Sequence, residues 1–153
     1  MPVRHRLFVL VLLFGQITLT AAATFDSSVQ ERQLFRQTRE QVQHEQYTKA
    51  KPGIAALKHY PLAPYLELPL LLEHLDELPF DDVDAFLKQY PDSVSGDSLR
   101  AAWLSTLGQR QRWQDVLRYY DAQSAGKAQQ CWRLEALYQT GHATQALADT
   151  ESL

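Results

Sequence analysis

Proline and glycine divide this chain into short segments, and this punctuation restricts the fold more than any other feature of the sequence. Within each segment, apolar side chains recur three and four residues apart, which is the spacing of one face of an α-helix. The alternating pattern typical of β-strands does not persist in any segment. The sequence therefore predicts an all-α fold built from short helices.

The apolar pattern predicts eight helices. They are expected to cover approximately residues 28–46, 48–58, 62–75, 81–90, 97–109, 113–120 and 127–139, with an eighth beginning near 143. Ser28 and Glu31 fit a capping box for the first helix. Asp97 is predicted to cap the fifth helix, and Gly108 is predicted to end it. The leucine-rich third helix is apolar nearly all round, so we expect packing on more than one side.

Helices of this length cannot bury their apolar faces alone. They are predicted to stack as an α-solenoid or superhelix of short antiparallel helix pairs. The positions of Trp103, Trp113 and Trp132 do not share one period, so no regular repeat length is expected. In the sixth helix, Trp113, Val116, Leu117 and Tyr120 are expected on the inner face.

The first 23 residues have the pattern of a signal peptide. Arg4 and Arg6 precede an apolar run over 7–14, and small residues end the segment at Ala23. The apolar run is shorter than the roughly 20 residues that a spanning helix needs. Cleavage is therefore predicted after Ala23, with export to a bacterial periplasm and no membrane anchor after cleavage.

The charge of the remaining chain argues against a nucleic-acid partner. Removal of Arg4 and Arg6 from the 15 basic residues leaves 13 against 18 acidic ones, a net charge of −5. Nucleic-acid-binding proteins normally present a basic face, whereas the basic residues here are scattered among acidic neighbours. No nucleic-acid partner is expected.

The run LKHYPLAPYLE over residues 57–67 resembles a helix junction in the soluble lytic murein transglycosylases, in which one helix ends at Tyr-Pro-Leu and the next begins at Pro-Tyr-Leu-Glu. The agreement continues in order along the chain. It includes Phe86, Pro91, Leu99, Arg100, Trp103, Leu104, Leu107, Trp113, Gln130 and Cys131. The resemblance extends over about residues 26–150.

The resemblance implies that residues 24–153 form the N-terminal part of a ring-like α-superhelical domain in the periplasm. It also implies that a lysozyme-like catalytic domain lies further toward the C-terminus and is absent from this chain. In that family, the catalytic domain cleaves the glycan bond between N-acetylmuramic acid and N-acetylglucosamine without water and leaves a 1,6-anhydro end. The family's general acid is a glutamate in a Glu-Ser pair that a Gly-Leu-Met-Gln segment follows.

No catalytic, metal-binding or cofactor-binding residue is predicted in this chain. Glu151 and Ser152 form a Glu-Ser pair, but no Gly-Leu-Met-Gln follows, and nothing encloses the carboxylate to raise its pKa. The histidines lack the spacing of three or four that would place two imidazoles on one helix face; they are His44, His59, His74 and His142. Two acidic groups are predicted to be solvated helix ends. They are Glu73, Asp76 and Glu77, and Asp81, Asp82 and Asp84.

Cys131 is the single cysteine of the chain, and two interpretations remain open. It is either a buried free thiol among apolar neighbours or half of a disulfide whose partner is missing. The family resemblance favours the missing partner, because a second cysteine usually lies beyond the matched region.

Most of the aromatic side chains are predicted to be core residues, although aromatic faces also stack on sugars. The candidates are Tyr60, Tyr65, Tyr90, Tyr119, Tyr120 and the three tryptophans. Tyr119 and Tyr120 cannot both point inward, so one of them is the best candidate for a surface role.

The functional prediction is a non-catalytic scaffold region of a periplasmic lytic transglycosylase, with peptidoglycan glycan strands as the partner through the catalytic part and other cell-wall proteins as further partners. The alternative is a free-standing periplasmic helical-repeat module that binds another protein along a concave face. An independent small hydrolase ranks last, because no nucleophile, base or metal constellation is visible.

Overall fold

The structure is a computed structural model that describes residues 19–150, with side-chain environments from residue 28 onward. Eight α-helices follow one another in these residues: α1 (Leu19–Gln43), α2 (Tyr47–Ala56), α3 (Pro64–Glu73), α4 (Phe80–Gln89), α5 (Val94–Gln109), α6 (Trp113–Tyr119), α7 (Lys127–Gln139) and α8 (Ala143–Thr150). A 3-10 helix, Leu75–Glu77, follows α3. Residues 19–150 contain no strand, so the all-α prediction is confirmed.

The predicted ends of several helices are wrong. α1 passes through Ser28, so Ser28 is not an N-cap; the continuing helix satisfies the backbone N–H groups that a capping box would bind. Residues 1–18 of the predicted signal peptide lie outside the described residues, and cleavage after Ala23 stays a prediction. None of the helices between residues 19 and 150 is both long and apolar enough to cross a bilayer.

Ser93, rather than Asp97, caps α5. The backbone of Ser93 is extended, its Oγ accepts a hydrogen bond from the backbone N–H of Gly96 at 3.0 Å, and its hydroxyl donates to the carbonyl of Tyr90 at 2.8 Å. Asp97 lies in the first turn of the helix, where its negative charge interacts favourably with the helix dipole, but its side chain does not cap the helix. The sequence did not indicate Ser93, because a serine acts as an N-cap only where its backbone takes the right conformation, and the sequence does not show that conformation.

Three helices end with a left-handed residue and the paired hydrogen bonds of a Schellman motif. After α5, the N–H of Gln111 binds the carbonyl of Gly108, and the N–H of Arg112 binds the carbonyl of Leu107. Gln111 has φ +57°, a position that glycine usually occupies. Gly108 therefore lies inside α5 and does not end it. The same motif follows α1 and α7, with Glu45 and Gly141 in the left-handed position.

The chain forms two compact units that divide between Tyr60 and Pro61. In the first unit, α1 packs against α2. The backbone of Gly53 lies so close to Thr38 that a Cβ at this position would overlap the threonine side chain. The ring of Phe35 lies 5.3 Å from that of Tyr60, centroid to centroid. These contacts hold the helical hairpin together.

In the second unit, α5 is the central helix and contacts α3, α4, α6, α7 and the 3-10 helix. Each helix from α5 to α8 also packs against the next, as predicted for stacked helices. The core of this unit consists of Val83, Phe86, Leu99, Trp103, Leu104, Leu107, Val116, Tyr119 and Ala136. The inner aromatic residue of α6 is thus Tyr119; Tyr120, which was predicted on that face, follows the end of the helix and is half-buried.

The expectation that the leucine-rich third helix is packed on more than one side is wrong. α3 packs mainly against α5, and only Pro64 and Leu66 are buried within it. Tyr65 and Leu72 remain 52% and 38% exposed. A helix with one large neighbour can bury only one face, whatever its composition.

Candidate functional site

A groove of about 560 Å³ lies in the second unit, where the end of α5, the start of α6 and one face of α7 meet. We call it the tryptophan groove. It is lined by Gly108, Gln109, Gln111, Trp113, Cys131, Trp132, Glu135 and Gln139. Its size falls within the roughly 300–1,000 Å³ typical of small-molecule sites.

Two tryptophans form the apolar part of the tryptophan groove. Trp113 is the first residue of α6 and Trp132 lies on α7. Their ring centroids are 6.4 Å apart, and the planes are tilted by 34°. Both side chains are half-buried and pack against the core, so each ring is held in place while part of it stays exposed.

Gly108 determines where the Trp132 ring lies. A Cβ at position 108 would overlap the six-membered part of that ring, so only glycine allows the indole to approach the backbone of α5. The Schellman motif then turns the chain at Gln111 and brings Trp113 to the same place. The groove therefore forms because α5 ends here and because Gly108 has no side chain.

The polar lining of the groove consists of side-chain amides and one carboxylate. Nε2 of Gln139 donates a hydrogen bond to Oε1 of Glu135 at 2.7 Å; the two residues are one turn apart on α7. Gln109 and Gln111 add two exposed amides. The amides can both donate and accept hydrogen bonds and the carboxylate accepts them, so an amphipathic ligand suits the groove better than an ion.

Cys131 is exposed on the wall of the tryptophan groove and is a free thiol in the described part of the chain. The interpretation of this residue as a buried free thiol is therefore wrong. Cys131 begins the second turn of α7 and lines the groove beside Trp132, whereas Leu137, another apolar neighbour that suggested burial, lies on the buried face of the helix.

A second cleft of about 320 Å³ lies where α4, α5 and α6 meet, and its lining is strongly charged. Asp84 accepts a hydrogen bond from Tyr119 Oη at 2.6 Å and forms an ion pair with Arg118. Arg100 binds Asp121 at 2.8 Å. Because the cations and the carboxylates pair with one another, this cleft connects helices and does not present an unpaired charge to a ligand.

The pKa values in the second cleft reflect these pairs. The backbone N–H of Gln123 lowers the pKa of Asp121, and the Ser124 hydroxyl and Arg100 add to the effect. Burial raises the pKa of Tyr119, and its hydrogen bond to Asp84 raises it further. Asp121 is thus held in its ionised form and Tyr119 in its protonated form, and neither titrates near neutral pH.

The other candidate residues from the sequence lie at different places in the structure and not in one site. The five acidic residues Glu73, Asp76, Glu77, Asp81 and Asp82 are exposed, as predicted for solvated helix ends. The same prediction is wrong for Asp84, which is half-buried and pairs with Arg118 and Tyr119. Asp76 pairs with Arg110 at 3.1 Å. Tyr120 is half-buried beneath the guanidinium of Arg133, which lies 5.0 Å from its ring centroid. Glu151 and Ser152 lie outside the described residues. Sequence reasoning missed the role of Gly108, whose position in an apolar helical pattern was the only available signal.

Comparison with known proteins gives one consistent relationship. Over 137 residues, or 90% of this chain, the sequence is 24% identical to the soluble lytic murein transglycosylase of Escherichia coli K12. The matched residues are 21% of that relative, so the chain spans about a fifth of its length. No family model matches the chain. The predicted resemblance to soluble lytic murein transglycosylases is confirmed.

Two crystal structures share the helical fold. The 70-kDa soluble lytic transglycosylase of E. coli matches with a TM-score of 0.68 at 24% identity, over 76% of this chain and 19% of that one. An inactive mutant of the lytic transglycosylase of Pseudomonas aeruginosa matches with a TM-score of 0.66 at 24% identity, over 78% of this chain and 19% of that one.

Proposed function

We propose that this chain is a non-catalytic scaffold region of a periplasmic lytic transglycosylase, an enzyme that cleaves peptidoglycan glycan strands to 1,6-anhydro-muropeptides. The observation that carries the proposal is the similarity to a murein transglycosylase over 90% of the chain. The common helical fold supports it. The match spans about a fifth of that relative, and the proposal places the bond-breaking chemistry in a different part of the enzyme.

The carboxylates of the described residues support a non-catalytic role. Glycan cleavage needs a general acid whose pKa is raised and which reaches the scissile oxygen. Burial raises the pKa of Glu67, but its carboxylate accepts a hydrogen bond from Tyr90 and lies in neither cleft lining. Glu135 does line the tryptophan groove, but it is exposed. The described residues thus supply a helical frame and a polar groove.

The proposal includes export. The predicted signal peptide over residues 1–23 directs the chain to the periplasm, where peptidoglycan lies. There, the helices shape the space through which a glycan strand approaches the catalytic part of the enzyme. The partner is the glycan strand, and other cell-wall proteins are further partners.

A digest of purified peptidoglycan sacculi tests this function. The full chain is incubated with sacculi, and the released products are examined for 1,6-anhydro ends by mass spectrometry, with an intact lytic transglycosylase as the positive control. We expect no anhydro products. Their release would overturn the non-catalytic role.

The second candidate function is a protein-binding module. Tyr138 on α7 and Leu147 on α8 are 64% and 71% exposed, which is unusual for large apolar side chains. Sedimentation with sacculi stripped of protein distinguishes the two functions. A scaffold that contacts glycan sediments with the stripped sacculi, whereas a protein-binding module stays in the supernatant.

A further inference from the structure

We propose that the tryptophan groove binds an uncharged N-acetylated hexosamine unit of a glycan strand. The substrate class, a glycan strand, rests on the proposed function. What is added is the assignment of the contact with the strand to particular side chains. The groove thereby becomes a point at which the scaffold holds the strand.

The two indole rings carry the apolar part of the recognition. One face of a pyranose ring presents axial C–H groups and packs on a flat aromatic surface, while its hydroxyls lie around the edge. Trp113 and Trp132 both line the groove, with ring centroids 6.4 Å apart and ring planes inclined by 34°, and we assign the contact with the pyranose face to these two rings. Both rings are anchored by the core of the second unit, so they lose little rotamer freedom when a ligand binds.

The amides carry the polar part of the recognition. The hydrogen bond from Gln139 to Glu135 fixes both side chains on α7, and Glu135 keeps a second carboxylate oxygen that can accept from a sugar hydroxyl or an acetamide N–H. Gln109, at the end of α5, and Gln111, in its Schellman turn, also line the groove. Donors and acceptors thus accompany the two aromatic rings in the groove lining.

Charge selects the kind of sugar. Among the residues that line the tryptophan groove, Glu135 is the single charged side chain. A sugar with a carboxylate would meet the like charge of Glu135 with no cation in the groove lining to offset it, whereas an N-acetylated sugar without a carboxylate would meet no such repulsion. The groove therefore favours the uncharged hexosamine over a lactyl-bearing one. The charged second cleft is a weaker candidate, because its ion pairs already use its polar groups.

Nuclear magnetic resonance of the indole N–H groups tests the inference on the full chain. The three tryptophans provide three signals, and Trp103 is 1% exposed in the core and serves as the internal control. On titration with tri-N-acetylchitotriose, we expect the signals of Trp113 and Trp132 to move and saturate while the signal of Trp103 stays fixed. The absence of saturable shifts would overturn the proposal, as would equal shifts of all three signals.

Matched variants locate the binding. Trp113→Ala and Gln139→Ala are expected to weaken chitotriose binding by about tenfold or more, because each removes one class of contact. Gln139 is exposed, so its variant keeps the fold and the test stands even if Trp113→Ala unfolds. Tyr65→Ala removes an exposed aromatic ring of α3, away from the groove, and is expected to leave the affinity within about twofold. Equal affinity of Gln139→Ala and the unmodified chain would overturn the proposal.

One variant tests the selectivity of the groove against acidic sugars. Glu135→Gln keeps an acceptor but removes the charge, so the affinity for N-acetylmuramic acid relative to that for chitotriose is expected to rise above its value in the unmodified chain. No gain for the acidic sugar would overturn the assigned selectivity. Sedimentation with sacculi separates this assignment from the proposed function. If the chain sediments with sacculi but its groove variants do so equally, the groove assignment fails and the scaffold function stands.

Discussion

The phenolic oxygen of Tyr90 donates a hydrogen bond to Oε1 of Glu67 over 2.7 Å and so joins the end of α4 to α3. Nε2 of Gln89 donates to the same phenolic oxygen at 2.8 Å, and the Tyr90 ring lies edge-on to Phe86 with centroids 4.9 Å apart. α3 is a largely apolar helix with few other polar contacts of this kind between the described side chains. The Tyr90–Glu67 bond therefore adds a polar link between α3 and α4 to the packing of α3 against α5.

Tyr90→Phe is expected to lower the free energy of unfolding by about 1 kcal/mol, because it leaves the half-buried carboxylate of Glu67 without its phenol donor. Urea-induced unfolding followed by circular dichroism measures the change. Tyr65→Phe is the matched control, since Tyr65 is exposed on the same helix as Glu67 and should lose almost nothing. Equal losses in the two variants would contradict a stabilising role for the hydrogen bond.

The stability of the protein is expected to depend on pH through Glu67. Burial raises the pKa of Glu67 above its ordinary value of 4.5, and the Tyr90 hydrogen bond lowers it by less. Because folding raises this pKa, the group adds stability as the pH falls through the folded pKa, fully so below 4.5, and that stability is lost as the pH rises.

Glu67→Gln removes this titration while it keeps a hydrogen-bond acceptor. Subtracting the unfolding free energy of Glu67→Gln from that of the unmodified chain isolates the contribution of Glu67. We expect this difference to increase as the pH is lowered from 7 toward 4.5. A difference that decreases on acidification would show instead that folding lowers the pKa of Glu67.

The N-cap of α5 can be tested by comparing two neighbouring residues. Ser93→Ala is expected to cost about 1 kcal/mol, because the N–H of Gly96 loses its acceptor. Asp97→Ala should cost less, since Asp97 acts through the helix dipole and through a 3.8 Å ion pair with Arg100. Unfolding in low and high salt separates the two. The Ser93 loss should persist in salt, and the Asp97 loss should shrink; the reverse pattern would assign the cap to Asp97.

Gly108→Ala is expected to destabilise the protein by about 1–3 kcal/mol, although alanine is the better helix former, because the new methyl group overlaps the Trp132 ring. The same substitution in a Trp132→Leu background removes the overlap. There, Gly108→Ala should become neutral or stabilising. Thermal unfolding of the four proteins gives the coupling energy, and an equal effect in both backgrounds would rule out the Gly108–Trp132 contact.

Cys131 is expected to react with a thiol reagent at one equivalent in the folded protein, because its side chain is exposed. Absorbance of the released chromophore measures the reaction without denaturant, and Cys131→Ser provides the blank. Reaction only after unfolding would mean that the thiol is buried. Bound chitotriose should slow the labelling, since Cys131 lies on the wall of the tryptophan groove.

The helical elements could be predicted from the sequence, since an apolar period of three and four is a local property. α7 was predicted with its observed bounds, Lys127–Gln139, and α2 to within two residues. Helix ends were harder to predict. Glu45 and Gln111 take left-handed conformations that are typical of glycine, and their side chains give no sign of it.

The candidate site could not be predicted, because its parts lie far apart in the sequence and meet only when α5, α6 and α7 pack together. The exposure of Cys131 and the burial of Tyr119 rather than Tyr120 likewise depend on which face of each helix meets its neighbour. By itself, the sequence determined the all-α fold and the resemblance to the lytic transglycosylases, since both are recorded in local spacing and residue order. The tertiary structure alone decided the tryptophan groove: Gly108 has no side chain of its own to indicate that an indole 24 positions away would pack against its backbone.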